Sequence, residues 1–294
     1  MADPVDPFAQ TRMTLAQHLD ELRKRVLRGV IAVFLAFCVA WEFNEPIARG
    51  MQWPFMRAVG WLNEDLVEEH EAYLKEHPEI PRTEFFLSED PADQRLKQPF
   101  HDKLQATGIS EIFMFSFRNA MYAAVAAGGP VLLWQMWGFI AAGLYQKEKR
   151  MVMGYFPTSL LLFVAGLAMS FFLLVPTGIY YLQKTLPQDL VEFNPKLDEY
   201  MEFLSKTCIW SGAMFQMPLL IQVLIRLDMV QAATFAKYRK HFIVIAFVIA
   251  GFVTPSADPY SQTLLAGPMI LLYELGIWMG RWATRKKKRT EVAA

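Results

Sequence analysis

Two glutamates, Glu21 and Glu148, sit inside short runs of basic residues, HLDELRKR at 18–25 and QKEKR at 146–150. Glu21 is placed to pair with Arg25 one helical turn on, at i,i+4. Glu148 lies between Lys147 and Lys149. In both cases the plainest chemistry is a solvated ion pair that contributes little. For Glu21 that reading is weak. An acid adds nothing to a basic flank that serves only to set topology, so its presence asks for another reason.

Other chemistries lack the residues they need. The five histidines are His18, His70, His77, His101 and His241, and none falls in the middle of an apolar block. That disfavours a bis-histidine haem site and removes the base of a serine intramembrane protease. There is no Gly-rich phosphate loop ending in Lys-Ser or Lys-Thr. No Cys/His cluster has metal-ligand spacing. Cys38 and Cys208 lie in or beside apolar blocks and read as buried small hydrophobes. The expectation is a binding and conducting device, with no enzyme activity, no cofactor, no metal and no nucleic-acid partner.

The elements that carry the two acids are membrane helices. The chain is 54% hydrophobic and 20% charged over 294 residues, with zero formal net charge. Its apolar residues form six blocks, at 26–43, 112–144, 152–182, 206–225, 241–254 and 262–282. Each is read as a transmembrane helix, giving an all-α polytopic membrane protein in one domain. Spans two and three are long. Span two would extend about 50 Å as one helix, and Gly128–Gly129–Pro130 is its expected bend. Pro157 and Pro176 imply a bend in span three. Spans five and six are short, span five reaching only about 21 Å.

Lys and Arg gather in alternate loops: Arg23, Lys24, Arg25 and Arg28; Lys147, Lys149 and Arg150; Lys237, Arg239 and Lys240; and the tail at 283–294. The intervening loops are acidic or neutral. The positive-inside rule puts both termini in the cytoplasm. Residues 14–25 are expected to form a cytoplasmic amphipathic helix that stays in the mature chain, because CVAWEFNEP offers no convincing cleavage site. Thr14 and Gln17 could form a capping box. Leu15, Leu19, Leu22 and Val26 make an apolar face for the membrane surface or for other helices. The outer loop at 45–111 should hold a helical cap, with Leu62, Leu66, Tyr73 and Leu74 at helical spacing, plus an insertion. The basic tail reads as an orientation anchor or a lipid-headgroup contact.

Three stretches carry a family resemblance. HLDELRKR resembles the HLxELRxR signature of TatC, the receptor core of the twin-arginine protein translocase. WGFIAAGLYQKEKR at 137–150 resembles that family's first cytoplasmic loop, and VTPSADPYSQTLLAGPMILLYELG at 253–276 its TPxxDPxSQ turn and last helix. Pro54 resembles the proline after span one. Only 57–105 is foreign to the pattern. The resemblance implies an inner-membrane protein that recognises folded cargo bearing a twin-arginine signal peptide. It also implies assembly, as a homo-oligomer, with single-span TatA-type and TatB-type partners under the proton-motive force. Glu21 and Glu148 match acids of signal-peptide recognition, and Arg23 and Phe139 match sensitive positions nearby. His18, Leu22, Lys149 and Arg150 flank them in the same motifs. The physics agrees, since a guanidinium forks onto carboxylates in a way an ammonium does not.

Some positions depart from the family pattern. Ala142 replaces a usual proline. Gln216 in GAMFQMP stands where many relatives have glutamate; it cannot titrate, and is read first as a polar contact for a partner helix and second as a structural hydrogen bond. Thr254, Asp258, Ser261 and Gln262 resemble a docking edge for partner helices, although TPSADP also suits an ordinary turn. Glu274 is read as an intramembrane acid near the middle of span six, pairing within the bundle or facing a partner. Gly276 and Gly280 could be internal packing or a helix interface. A small-solute secondary transporter and a purely structural anchor are the alternatives from other classes.

Overall fold

The computed structural model describes residues 15–76, 100, 103–106, 108–184, 195–254 and 258–292. Among these the chain is helical, apart from an isolated parallel bridge between Gln105 and Lys196. The elements are α1 (Leu15–Glu42), α2 (Asn44–Met51), α3 (Trp53–Glu76), α4 (Ile109–Ala142), α5 (Gln146–Met153), α6 (Phe156–Met169), a π-helical turn (Ser170–Leu174), α7 (Val175–Lys184), α8 (Leu197–Met214), α9 (Met217–Arg226), α10 (Ala232–Lys237), α11 (Arg239–Val253) and α12 (Pro259–Val292). Four segments are long and apolar enough to cross a bilayer: Phe113–Ala142, Glu148–Lys184, Leu197–Arg226 and Pro259–Trp282. A fifth comes from α1 if it is counted with α2 and the start of α3, to which it is bent by 91°. The chain is thus a multi-pass membrane protein. At 15 residues α11 is the short fifth block, about 22 Å long.

Prolines shape the long third and fourth blocks. Pro176 has no N–H to donate to Phe172, and the helix accommodates it with a π-turn in which the Val175 N–H reaches back to the Ser170 carbonyl. Pro157 opens α6 after a break at Gly154–Tyr155, and Pro218 opens α9 after a break at Phe215–Gln216. At Gly128–Gly129–Pro130, the expected bend, the helix does not break: α4 continues as one α-helix through Pro130. Those glycines serve packing instead. A Cβ on Gly128 would come 3.1 Å from Val33 of α1, and one on Gly129 would come 2.2 Å from the Phe163 ring of α6.

Packing concentrates at the two ends of the bundle. At the outer end Phe55, Ala58 and Val59 of α3 bury against Val175 and Ile179 of α7 and Tyr200, Met201 and Leu204 of α8. Residues 57–76, expected to begin a foreign insertion, therefore belong to the fold, with Leu62 and Leu66 buried as the spacing implied. The side chains of Tyr73 and Leu74 lie outside the described residues. Asn119 of α4, fully buried, holds the α1–α2 corner by donating to the Asn44 side-chain and backbone oxygens at 2.6 and 3.2 Å. Arg118 of α4 pairs with Asp198 of α8 at 2.6 Å. Asp65 of α3 accepts from Lys184 and Tyr180 of α7, and these bonds hold its carboxyl below the usual range.

At the other end, which carries the basic loops and is the inner one on the positive-inside expectation, Trp137 and Ala141 of α4 pack with Val152 of α5 and Leu219 and Val223 of α9. Helix α12 lies along α9: a Cβ on Gly276 would come 3.0 Å from the Pro218 Cα, and one on Gly280 2.2 Å from Ile225. The glycine pair is an internal packing face. Cys38 and Cys208 are free thiols; Cys38 is exposed rather than buried as expected, and Cys208 is half-buried.

Candidate functional site

Helix α1 runs unbroken across the boundary expected at residue 25, so its first turns are rigid extensions of a span. The proposed cap at Thr14 lies outside the described residues. The face that α1 turns toward α4 is the polar one. His18, Glu21, Arg25 and Gly29 follow one another at i, i+3, i+7 and i+11, one face of a helix. The apolar stripe faces outward: Leu19, Leu22 and Val26 are exposed. It therefore does not pack on other helices. Gly29 is buried, and a Cβ there would meet Leu132 at 2.9 Å.

Along that face the contacts are specific. The His18 ring stacks on Phe139 at 4.3 Å between centroids and 22° between planes. It also lies over Gly143, where a Cβ would be 3.5 Å from the imidazole. One turn deeper Arg25 forks onto Glu21. Its Nε donates to Oε1 at 2.7 Å, and Nη2 lies 2.6 Å from the same oxygen. Both side chains are less than a quarter exposed, at 19% for Arg25 and 23% for Glu21. The guanidinium rests on Gly138, where a Cβ would fall 1.9 Å from Nη1. By contrast the neighbouring Asp20–Lys24 pair is more than half exposed and contributes little.

The second acid follows the same turn. After Gly143 the chain enters α5, and Glu148 reaches back to accept the Tyr145 N–H on Oε2 at 3.1 Å. A carboxylate in the first turn suits the helix dipole as well as the free N–H. Each glutamate thus has one oxygen engaged within the chain, Oε1 of Glu21 and Oε2 of Glu148. Arg23, Lys149 and Arg150 are exposed around them. Trp137, with no exposed surface, lies two residues before Phe139 and stacks near Tyr155, whose ring carries Arg226 at 5.6 Å.

The second predicted group is not brought together. Gln216 lies buried between α6 and α9; it accepts from the Ser159 hydroxyl and donates to the Ser159 carbonyl at 3.2 Å. Thr254 donates to the Ala250 carbonyl within α11. Asp258 caps α12 by accepting the Ser261 N–H at 2.7 Å, and Gln262 lies against Gly251. Glu274 is not isolated in mid-span: it pairs at 2.7 Å with Arg239, the first residue of α11, at the inner end. An almost wholly apolar concavity of about 730 Å³ opens beside this group, lined among others by Tyr122, Gly129, Phe163, Cys208 and Gln216. Among the described residues no cluster of His, Cys, Asp and Glu could hold a metal.

Sequence reasoning missed Gly138. The only signal was a residue without a side chain between two aromatics in WGF.

Comparison with known proteins agrees with this layout. The family model described as Sec-independent protein translocase protein (TatC) matches residues 17–268. The TatC of Azotobacter chroococcum mcd 1 is 32% identical over 288 residues, covering 98% of this chain and 96% of that protein. The TatC of Aquifex aeolicus is 29% identical over 282 residues, covering 96% and 100%. A crystal structure of the twin-arginine translocase receptor TatC matches with a TM-score of 0.66 at 28% identity, covering 91% of this chain and 99% of that one. The chain belongs to the TatC family of protein translocase components.

Proposed function

We propose that this protein is the signal-peptide receptor of a twin-arginine translocase and that Glu21 and Glu148 receive the two adjacent arginines of a cargo signal. One observation carries the reading: the first turns of α1 and the loop from Phe139 to Glu148 touch through His18, Phe139 and Gly143. The two acids thus come from elements in direct contact, and each keeps one oxygen outside its internal bond. Arginine suits such acceptors because its fork is planar, permanently charged and weakly hydrated. Arg23, Lys149 and Arg150 keep the empty site from being a bare negative patch. The basic loops support a reading in which this face and both termini lie in the cytoplasm and the membrane is the inner one.

Family membership implies participation in the Tat complex. Within it, single-span partners of the TatA and TatB type are proposed to dock in the plane of the membrane, near the apolar concavity and the α11–α12 turn. The internal bonds of Gln216, Thr254, Asp258 and Glu274 favour structural roles for those side chains over direct partner contacts, which leaves Gln262 and the apolar wall as the docking surface. The solute-transporter expectation finds no support in the family match.

The test is binding of a synthetic signal peptide with Arg-Arg, against its Lys-Lys twin, to the purified protein in detergent. The expected preference for Arg-Arg is at least about tenfold, the worth of one charge-assisted hydrogen bond. Equal affinities for the two peptides would remove the basis of the assignment.

A further inference from the structure

The receptor already holds an arginine on Glu21, and it is the protein's own. We propose that Arg25 is a resident guanidinium that a cargo arginine must displace from Glu21, so that Arg25 sets the affinity a ligand cation needs to occupy the site. This rests on the assignment of Glu21 to signal recognition.

Three observations carry it. Arg25 contacts Glu21 as an incoming arginine would, with Nε and Nη2 both on Oε1, leaving Oε2 outside the fork. The pair is shielded, at less than a quarter exposure on either side, unlike Asp20–Lys24 on the same helix. Shielding strengthens an ion pair by lowering the local dielectric, so this contact competes with a ligand in a way a solvated pair does not. Finally, Gly138 leaves the guanidinium a seat on α4: any side chain there collides with Nη1. Gly138 thus sustains a placement that helical spacing alone does not provide.

The consequence for affinity follows from exchange. An incoming arginine replaces one fork with another and loses little. An incoming lysine gives up more hydration and offers a single point charge, so it displaces Arg25 poorly. Removing Arg25 relieves both peptides of the same displacement cost, so both affinities rise by a similar factor.

The experiment is Arg25→Gln in the full-length protein, with the Arg-Arg and Lys-Lys peptides measured side by side. The Arg-Arg peptide is expected to bind about fivefold tighter, the factor that a partly shielded ion pair contributes. The Lys-Lys peptide meets the same competitor and gains by a similar factor, so the ratio between them holds. Arg25→Lys should lie between wild type and Arg25→Gln. If Arg25→Gln does not fold, Gly138→Ala provides a second route, since it pushes the guanidinium off its seat and leaves the charge in place; the same tightening is expected. Weaker Arg-Arg binding in these variants would make Arg25 a residue that merely holds Glu21 in position and would overturn the exchange, as would unchanged affinity for both peptides. Glu21→Gln separates the two levels of the argument. If it weakens Arg-Arg binding about tenfold while Arg25→Gln does not tighten it, only the exchange is wrong. If it leaves binding intact, the recognition assignment fails and takes the exchange with it.

Discussion

Replacing Glu21 and Glu148 together by glutamine lowers the affinity for an Arg-Arg signal peptide by at least about a hundredfold. Each change removes the charge from a carboxylate hydrogen-bonded to a cation, an interaction of about 1.5–3 kcal/mol. Two such losses, even if not fully additive, exceed the roughly 2.7 kcal/mol that a hundredfold change represents. Glutamine keeps the volume of glutamate and one carbonyl oxygen. That oxygen can still accept the Tyr145 N–H in place of Glu148 Oε2, so α5 remains capped and the fold survives. The single variants should each lose about tenfold. Titration of a fluorescent peptide, with circular dichroism as a control for helix content, reads both effects. Affinity within threefold of wild type in the double variant would place recognition elsewhere.

The second large effect is on the platform beneath the site. Trp137→Ala should cost about 3–5 kcal/mol of stability, as truncation of a buried aromatic does. Trp137 has no exposed surface and packs with Ala141, Val152, Leu219 and Val223, so it ties α4 to α5 and α9. Phe139, which stacks on His18, is two residues further along α4, the helix that this cluster ties to α5 and α9. The variant should therefore show a lower melting midpoint in detergent and weaker peptide binding at temperatures where it remains folded. Trp137→Phe keeps a ring in the cluster and should lose far less of either. A wild-type midpoint for Trp137→Ala would contradict the packing described.

Much of this arrangement was legible in the residues because it depends on local rules. The apolar blocks follow from bilayer thickness, and the outer helical cap shows in the period of Leu62 and Leu66. Pro157 and Pro176 announced the irregularities of the third block, since a missing N–H must disturb a helix wherever it falls. The same rule failed at Pro130. There the neighbouring glycines fit Val33 and Phe163, and α4 stays continuous, a matter of tertiary packing that the sequence does not display.

The site shows the same division. Glu21–Arg25 pairing is an i,i+4 relation and was readable. The contact of Arg25 with Gly138, and of His18 with Phe139 and Gly143, joins residues more than a hundred positions apart. The apolar stripe of Leu19, Leu22 and Val26 misled for a physical reason: in a membrane protein the apolar face of a helix can look outward while its polar face packs inward. Glu274 takes one of the two readings left open for it, pairing within the bundle. Counting along α12 put it in mid-span, whereas Arg239 at the start of α11 gives it an ionic partner at the inner end.

The most direct test of the central claim is where a bound signal peptide lies. A photoreactive residue placed beside the arginine pair of the peptide should, on irradiation, form adducts with both stretches, 18–25 and 139–150, and the adducts should vanish with a Lys-Lys peptide. Adducts confined to one of the two stretches, or found at the α11–α12 turn instead, would contradict a shared seat for the two guanidinium groups.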